Sequence, residues 1–477
     1  MNFRKLFSAR DVTSGRPWKR LLELAIPLLI GNIAQQLYNT VDTIVVGKYV
    51  GDDALSAVGA AGPVINIIFV LFVGVATGAG ILVSQRFGAR DREGLSTVIG
   101  NCITLTVIAS LITTAIGLLL TMCPIFGGKD ILQLMNTPEG NIYTWSKQYL
   151  VVIFIGVTGN IFYNILSGIM RGLGDSVSSL LFLLLACGLN IVLDVWFVAG
   201  LGLGVFGVAL ATIIAQLISA VACALKLFRM KDVFTVTPRQ FRLKKDVAMN
   251  ILGLGLPSGV SQGVFAVSSL LTQSLTNSMG AVVMACNVVV MRIDGFIMMP
   301  FFSLGNAMTT YAGQNYGAKK LERLETGSKQ GLIEAFITAA VLVSLTNLFA
   351  RPLANIFTDT QELIDLSIRM FRILSVGYMV FGATQTLFGF MRGVGDTQNP
   401  MWIGMITQVG LRIPSAYLFA RLTANAEFPN GQAHALFLST VLSWTTCFIL
   451  ACFFYRRTKK KLRANAGEGW QLSYDGP

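Results

Sequence analysis

Long apolar runs, separated by short polar segments, follow one another along the whole chain. Twelve runs can be counted, at 21–46, 54–83, 95–121, 140–169, 177–199, 204–227, 248–275, 280–311, 327–349, 363–391, 398–420 and 433–455. A helix needs about 20 apolar residues to cross a hydrocarbon core about 30 Å thick, and each run is long enough. The runs lack the two-residue alternation of a membrane barrel. The pattern therefore predicts an all-α polytopic membrane protein with twelve transmembrane helices.

The composition supports this prediction. Of 477 residues, 53% are apolar and 13% are charged, whereas a soluble domain carries roughly 25% charged residues. A soluble core could not hide so much apolar side chain from water. The chain has a single His, and its seven cysteines form no CxxC motif. We therefore expect no cofactor, and no metal ion other than Na⁺ as a transported ion.

The positive charges are distributed unevenly among the segments between the runs. If the N-terminus is cytoplasmic, 28 of the 37 Lys and Arg residues fall on the cytoplasmic side and seven on the opposite side. Such a bias sets the orientation of a membrane protein. We therefore expect both termini in the cytoplasm. The net charge of +13 is explained by orientation, and we expect no nucleic-acid partner.

Three short motifs occur twice, in the same order, in the two halves of the chain. Residues 24–27 (LAIP) recur at 254–257 (LGLP), 85–89 (QRFGA) at 314–318 (QNYGA), and 171–175 (RGLGD) at 392–396 (RGVGD). This indicates a duplicated six-helix unit, and because six is even both copies enter the membrane from one side. We expect two lobes related by a pseudo-two-fold axis along the membrane normal. The predicted parts are a cytoplasmic segment (1–20), an N-lobe (21–227), a linker (228–247), a C-lobe (248–455) and a basic cytoplasmic tail (456–477).

The repeated Arg-Gly-x-Gly-Asp motif lies at the cytoplasmic ends of the fourth and tenth runs. Its glycines permit a tight turn, and its Asp can cap the next helix. The motif lacks the Lys and hydroxyl of a phosphate-binding loop. We interpret it as a turn or gate, with a ligand site as the alternative. The residues concerned are Arg171, Asp175, Arg392 and Asp396.

These motifs, with 42–47 (DTIVVG) and 190–194 (NIVLD), resemble those of bacterial multidrug and toxic compound extrusion (MATE) transporters. The resemblance covers nearly the whole chain. It implies a protein of the bacterial plasma membrane that exports small cationic substrates across the lipid bilayer. We expect a monomer. It also implies antiport with H⁺ or Na⁺ and alternating access between the two lobes.

Carboxylates inside the apolar runs are the candidates for ion coupling, because a charge in the bilayer is costly and usually functional. Asp42 lies about 31 Å along the first predicted helix and Asp194 about 26 Å along the fifth. Both therefore lie in the outer half of the N-lobe. Two carboxylates in such a pocket hold a proton or Na⁺. The alternative is that neighbouring polar groups simply satisfy one another.

Three further polar residues share this depth. Asn190 lies one turn before Asp194 on the same helix face, and Thr212 and Tyr149 lie about 12 and 14 Å inside their own runs. The resemblance implies that all five residues match the cation site in the amino-terminal lobe of the family.

The C-lobe departs from some members of the family, which carry a Glu in the seventh helix and an Asp in the tenth. Here the seventh run contains Gln262 and no carboxylate, and the tenth contains Gln385 and no carboxylate beyond Asp365 in its first turn, so we expect no Na⁺ site there. We expect Asp294 to pair with Arg412, as a structural pair or as part of the cavity wall. The candidate substrate-cavity residues are Gln35, Asn39, Arg292, Asp294, Met298 and Arg412.

Two other functions remain open from the sequence. A flippase for a lipid-linked oligosaccharide of the same wider superfamily needs a cationic cavity, and among the Lys and Arg residues only Arg292 and Arg412 are placed in the membrane interior. A polytopic membrane enzyme needs clustered His or acidic residues, which the single His and the absence of an HExxH motif disfavour. We expect a transporter and not an enzyme.

Overall fold

The computed structural model describes residues 8–124, 129–135 and 137–467. Residues 1–7 of the predicted N-terminal segment and residues 468–477 of the predicted basic tail lie outside the described residues. The regular elements within the described ranges are all helices, with no strand. The predicted all-α fold class is confirmed.

Fourteen α-helices make up most of the described residues. The first seven are α1 (Pro17–Tyr49), α2 (Asp52–Gly88), α3 (Arg92–Met122), α4 (Asn141–Ile155), α5 (Val157–Gly172), α6 (Ser176–Asp194) and α7 (Gly204–Phe228). The others are α8 (Lys245–Ser278), α9 (Ala281–Gly317), α10 (Leu321–Leu348), α11 (Gln361–Gly393), α12 (Gln398–Gly404), α13 (Arg412–Leu422) and α14 (His434–Gly467). Three short helices lie at Ile131–Leu134, Pro238–Phe241 and Ala350–Asn355.

Ten helices in the described residues are long and apolar enough to cross a membrane, and α4 with α5 supplies an eleventh span bent by 51°. The bend occurs at Gly156, where a Cβ atom would lie 2.2 Å from the Ile213 side chain. Glycine thus allows close packing and a sharp kink at one position. The predicted span 140–169 is therefore two helices instead of one.

Two other predicted spans, 177–199 and 398–420, contain π-helical segments. Val195–Gly200 follows α6 directly, and Met405–Leu411 joins α12 to α13. A π-turn widens the helix and interrupts the i→i−4 hydrogen bonds, often at functional positions. Because of this interruption, 398–420 is divided into helical pieces of 7, 7 and 11 residues. The uninterrupted helices expected at these two spans are wrong.

The chain divides into two compact units, each with its own core. Unit 1 comprises Met1–Arg10 and Ile30–Gly259, and unit 2 comprises Asp11–Leu29 and Val260–Pro477. The boundaries differ from those of the sequence repeats at two places. The beginning of α1 belongs to unit 2, and the beginning of α8 belongs to unit 1.

Packing explains why the beginning of α8 belongs to unit 1. Ile251 and Leu254 share a buried cluster with Ala76 and Ala79 of α2. Just before α8, the backbone N–H of Lys244 donates a 2.7 Å hydrogen bond to the side-chain oxygen of a buried Asn in α3, Asn101. The amide thus satisfies one of the free N–H groups at the helix start.

The beginning of α1 is held in unit 2 by the corresponding arrangement. The backbone N–H of Trp18 donates to the side-chain oxygen of Gln330 in α10 at 2.9 Å. Val12 N–H donates to the buried Gln314 at 3.0 Å. Leu21 and Leu24 are buried in a cluster of unit 2. In both copies of the repeat, a side-chain amide oxygen therefore accepts a hydrogen bond from a backbone N–H group at the start of a helix.

Candidate functional site

Two carboxylates in unit 1 come from different helices. Asp42 lies in the last part of α1, and Asp194 is the last residue of α6, directly before a π-helical segment. Asp194 is completely buried, and Asn190, one turn earlier, is 1% exposed. Asp194 is the only carboxylate in α6, and the widened π-helical turn begins directly after it.

The polar side chains around these carboxylates come close together. The Asn190 side-chain amide donates a 3.3 Å hydrogen bond to the Thr212 hydroxyl on α7. The carboxyl groups of Asp42 and Asp194 are close enough to interact electrostatically. Tyr149 of α4 is buried, at 7% exposure, and is within electrostatic reach of both carboxyl groups. The five residues singled out in the N-lobe therefore lie in one region of unit 1.

A sixth residue, Tyr38, belongs to this region and escaped the sequence analysis. Its hydroxyl is close enough to Thr212, Asp42 and Asp194 to interact electrostatically with them. A signal was present, because Tyr38 precedes Asp42 by four residues and so shares its helix face.

Several oxygens in this cluster have no hydrogen-bond partner among the described residues. They are one carboxylate oxygen of Asp42, both of Asp194 and the side-chain oxygen of Asn190. Neither carboxylate forms an ion pair within the described ranges. Buried polar groups in native proteins are normally paired, and an unpaired buried charge is costly. Hydrogen bonds among the described residues therefore leave these four oxygens unsatisfied.

Unit 2 contains a cavity of about 260 Å³. Its wall is largely apolar and aromatic, with polar groups at a few places. The aromatic residues lining it are Phe265, Phe437 and Trp444, and the polar ones include Gln273, Asn287, Asp294 and Arg412. Such an arrangement is typical of small-molecule sites, which have apolar walls and few orienting polar groups.

The sequence predicts that Asp294 pairs with Arg412, but the two residues form no ion pair in the described part of the chain. Asp294 of α9 accepts a hydrogen bond from the hydroxyl of the buried Tyr378 on α11. Arg412 lies within electrostatic reach of Asp294, and its Nε atom is buried without a partner in the described part of the chain. Tyr378 was missed, because its link to Asp294 spans 84 residues and leaves no local pattern.

The candidate substrate-cavity residues do not all lie together. Asp294, Met298 and Arg412 line the unit 2 cavity, and Arg292 is exposed and lies outside its lining. Gln35 and Asn39 are exposed on the part of α1 that belongs to unit 1. Asp294 and Arg292 point differently because residues two apart on a helix do not share a face.

The first Arg-Gly-x-Gly-Asp motif ends α5 with a tight turn. Gly174 has a φ of +80°, and its N–H donates to the Arg171 carbonyl, while the Asp175 N–H donates to the Met170 carbonyl. These two bonds define a Schellman motif, which favours glycine at the left-handed position. The Asp175 carboxylate caps α6 by accepting from the Ser178 N–H at 3.0 Å.

The second copy of the motif repeats this geometry at the end of α11. Gly395 has a φ of +99°, and the two equivalent backbone bonds run from Gly395 to Arg392 and from Asp396 to Met391. Asp396 accepts hydrogen bonds from the Asn399 N–H and from the Thr458 hydroxyl on α14. In both copies the Arg and Asp therefore belong to a helix end that these bonds hold in place.

Relatives of the chain are transporters. It is 28% identical over 413 residues to the "Probable multidrug resistance protein YoeA" of Bacillus subtilis, covering 85% of this chain and 88% of that protein. It is 26% identical over 415 residues to the "Probable multidrug resistance protein NorM" of Thermotoga maritima, covering 84% and 86%.

Solved structures agree with these relatives. The fold matches a crystal structure of "MATE in complex with MaD3S" with a TM-score of 0.84 and 27% identity, over 96% of this chain and 100% of that one. It also matches the "outward-facing conformation of a multidrug resistance MATE family transporter of the MOP superfamily", with a TM-score of 0.84, 27% identity and coverage of 96% and 99%. The MatE family model matches residues 27–196 and 257–418. The chain belongs to the MatE family, whose solved members are membrane transporters.

Proposed function

We propose that this protein exports amphipathic organic cations by antiport with H⁺ or Na⁺, and that Asp42 and Asp194 carry the coupling ion. The observation that supports this most directly is the set of unpartnered oxygens on the two neighbouring carboxylates. A proton would neutralise one carboxylate, and Na⁺ would use oxygens of the kind that hard cations prefer. Asn190, Thr212 and Tyr149 complete the proposed coupling site.

Antiport requires that the ion and the substrate favour different conformations. A ligand shifts an equilibrium only by the difference between its affinities for the two states. In the proposed cycle, the ion enters from outside and favours substrate release, and its loss to the cytoplasm restores the inward-open state. The two affinities are then coupled reciprocally.

The unit 2 cavity is our candidate for the substrate. Its aromatic residues offer ring faces to an organic cation, and Met298 offers an adaptable, polarisable contact. The Asp294 carboxylate supplies a negative charge inside the cavity wall. Arg412 lies beside it, and the cavity therefore lacks the uniform positive lining that a polyanionic lipid-linked oligosaccharide would need.

We propose a bacterial plasma membrane location with both termini in the cytoplasm. The support is the 28 to 7 distribution of Lys and Arg between the two predicted sides. In this orientation, the repeated Arg-Gly-x-Gly-Asp turns lie at the cytoplasmic ends of their helices. The protein is proposed to act as a monomer.

Efflux of a cationic dye from proteoliposomes tests the proposal. H⁺ and Na⁺ gradients are imposed separately on vesicles that contain the purified parent protein, Asp42→Asn or Asp194→Asn. We expect at least a tenfold loss of gradient-driven efflux in both variants, because a neutral amide cannot exchange a proton or balance a cation. Asp359→Asn, at an exposed loop position, is the matched control and should transport like the parent.

Each result has a distinct meaning. Efflux driven by one gradient alone identifies the coupling ion. Normal gradient-driven efflux in either Asp variant would contradict the coupling assignment. If the parent moves no cationic dye but scrambles a lipid-linked oligosaccharide in the same vesicles, the exporter function is wrong and the flippase alternative is correct.

A further inference from the structure

A row of exposed positions on α14 changes from apolar to basic along a single helix face. Its apolar members are Leu438, Leu442, Ile449 and Phe453, which are 38–61% exposed. The next exposed positions on the same face are Arg456, Arg457 and Lys460. The spacings of three, four and seven residues keep all these side chains on one side of an α-helix. We call the three basic residues the α14 basic patch.

The other face of this helix end is fixed by contacts within unit 2. Thr458 donates to Asp396 at 3.0 Å, and Lys459 and Arg463 form ion pairs with Glu325 at the start of α10. These contacts set the rotation of the helix, so the α14 basic patch must point away from the protein. No acidic residue forms an ion pair with it in the described ranges.

The neighbouring helix α10 has a similar face. Its exposed apolar residues include Ile333, Ile337 and Val341, and one turn before Ile333 lies the exposed Lys329. The two helices touch through the Ser328–Tyr455 hydrogen bond of 2.7 Å and an edge-to-face contact of Phe336 with Phe448. Each of the two contacting helices therefore has an exposed apolar surface that ends in basic side chains.

We propose that this surface binds an anionic phospholipid of the adjacent leaflet. The phosphodiester headgroup would lie against the α14 basic patch and Lys329, and an acyl chain would lie along the apolar rows of α10 and α14. A basic cluster directly beyond a transmembrane helix is suited to anionic headgroups, with each cation near the surface contributing a roughly fivefold change in binding. The apolar rows are the part that favours a lipid over a soluble polyanion.

Electron spin resonance of spin-labelled lipids tests this inference. The parent protein is reconstituted in phosphatidylcholine vesicles that contain either spin-labelled phosphatidylglycerol or spin-labelled phosphatidylcholine. We expect the parent to restrict phosphatidylglycerol severalfold more strongly. The triple variant Arg456→Gln/Arg457→Gln/Lys460→Gln should lose most of this preference, and about 1 M salt should weaken it in the parent.

Two variants separate the proposed site from a general effect of charge. Arg369→Gln/Arg372→Gln/Arg421→Gln removes the same charge from exposed positions predicted for the opposite side of the membrane, and it should keep the preference. Arg456→Lys/Arg457→Lys retains the charge and should keep it too. An unchanged preference in the α14 triple variant, or an equal loss in the control triple variant, would overturn the inference. Because dye efflux plays no part in this measurement, the result is independent of the proposed transport function.

Discussion

Two exposed basic residues occupy the left-handed region of the backbone at equivalent places in the repeat. Arg90 follows α2 and Lys319 follows α9, and both have a φ of +57°. The same pair of backbone hydrogen bonds closes each turn. This is the Schellman geometry of the two Arg-Gly-x-Gly-Asp turns, built here without glycine. A left-handed conformation costs a residue with a Cβ atom roughly 1–2 kcal/mol.

Glycine at these positions should therefore stabilise the protein. We expect Arg90→Gly and Lys319→Gly each to raise the free energy of unfolding by about 0.5–1 kcal/mol, because the removed strain exceeds the extra chain entropy of glycine. Thermal unfolding in detergent measures the change. Arg372→Gly, at an exposed position within α11, is the control and should destabilise by about 1 kcal/mol. A lower melting temperature for Arg90→Gly or Lys319→Gly would contradict the strain argument.

Single residues could be placed from sequence where one helix fixes their depth. The rise of 1.5 Å per residue was enough to bring Asp42 and Asp194 to a similar level. The position of a residue along its own helix does not predict which side chains it contacts on other helices. Tyr378 meets Asp294 across 84 residues, and only the packing of α9 against α11 defines that contact.

At the scale of whole helices, four glycines bring the backbones of α2 and α8 into contact. A Cβ atom at Gly74 would lie 2.5 Å from the Gly259 Cα, and one at Gly78 would lie 2.6 Å from the Gly255 backbone nitrogen. Small residues at helix interfaces in membranes allow this approach. All four glycines belong to unit 1. The contact cannot accept a methyl group unless the two helices move apart.

Alanine substitution should therefore destabilise the protein at one part of α2 and not at another. We expect Gly74→Ala and Gly78→Ala to cost about 2 kcal/mol or more, because the added methyl group would overpack against backbone atoms. At Gly62, also in α2, an added methyl group would have no atom within 4 Å, and Gly62→Ala should stabilise by about 1 kcal/mol. Thermal unfolding of the three variants checks this. Equal effects at Gly62 and Gly74 would exclude the contact.

The elements were largely predictable because apolar runs set helix positions and lengths. The bends and π-helical segments that interrupt these helices were harder to predict from the sequence. Gly156 bends one span, yet many other glycines lie inside continuous helices. The π-segment after Asp194 leaves no hydrophobic signature, since residues 195–200 are as apolar as the helix before them. Hydrogen-bond register is decided by packing, and periodicity in the sequence does not record it.

At the scale of the whole molecule, sequence repeats and contact units divide the chain differently. The repeats break between residues 227 and 248, whereas the contact units exchange the beginnings of α1 and α8. The side-chain oxygens of Asn101 and Gln330 accept hydrogen bonds from backbone N–H groups at these two helix starts. A comparison of the chain with itself reveals the duplication but cannot show which copy a helix start contacts. Each half of the sequence therefore lacks part of its own contact unit.

Half-chains should consequently depend on each other. Residues 1–231 would leave the start of α1 without unit 2, and residues 232–477 would leave the start of α8 without α2. We expect each half, expressed alone in membranes and extracted in detergent, to aggregate on size-exclusion chromatography, because Leu21, Leu24, Ile251 and Leu254 would lose their buried contacts. Co-expressed halves should elute together with the retention of the intact chain. The cut lies between the exposed Lys231 and Asp232, which spares both helices. Two halves that are each monodisperse, and as stable alone as together, would show that the exchanged helix starts are dispensable and that the repeats themselves are the folding units.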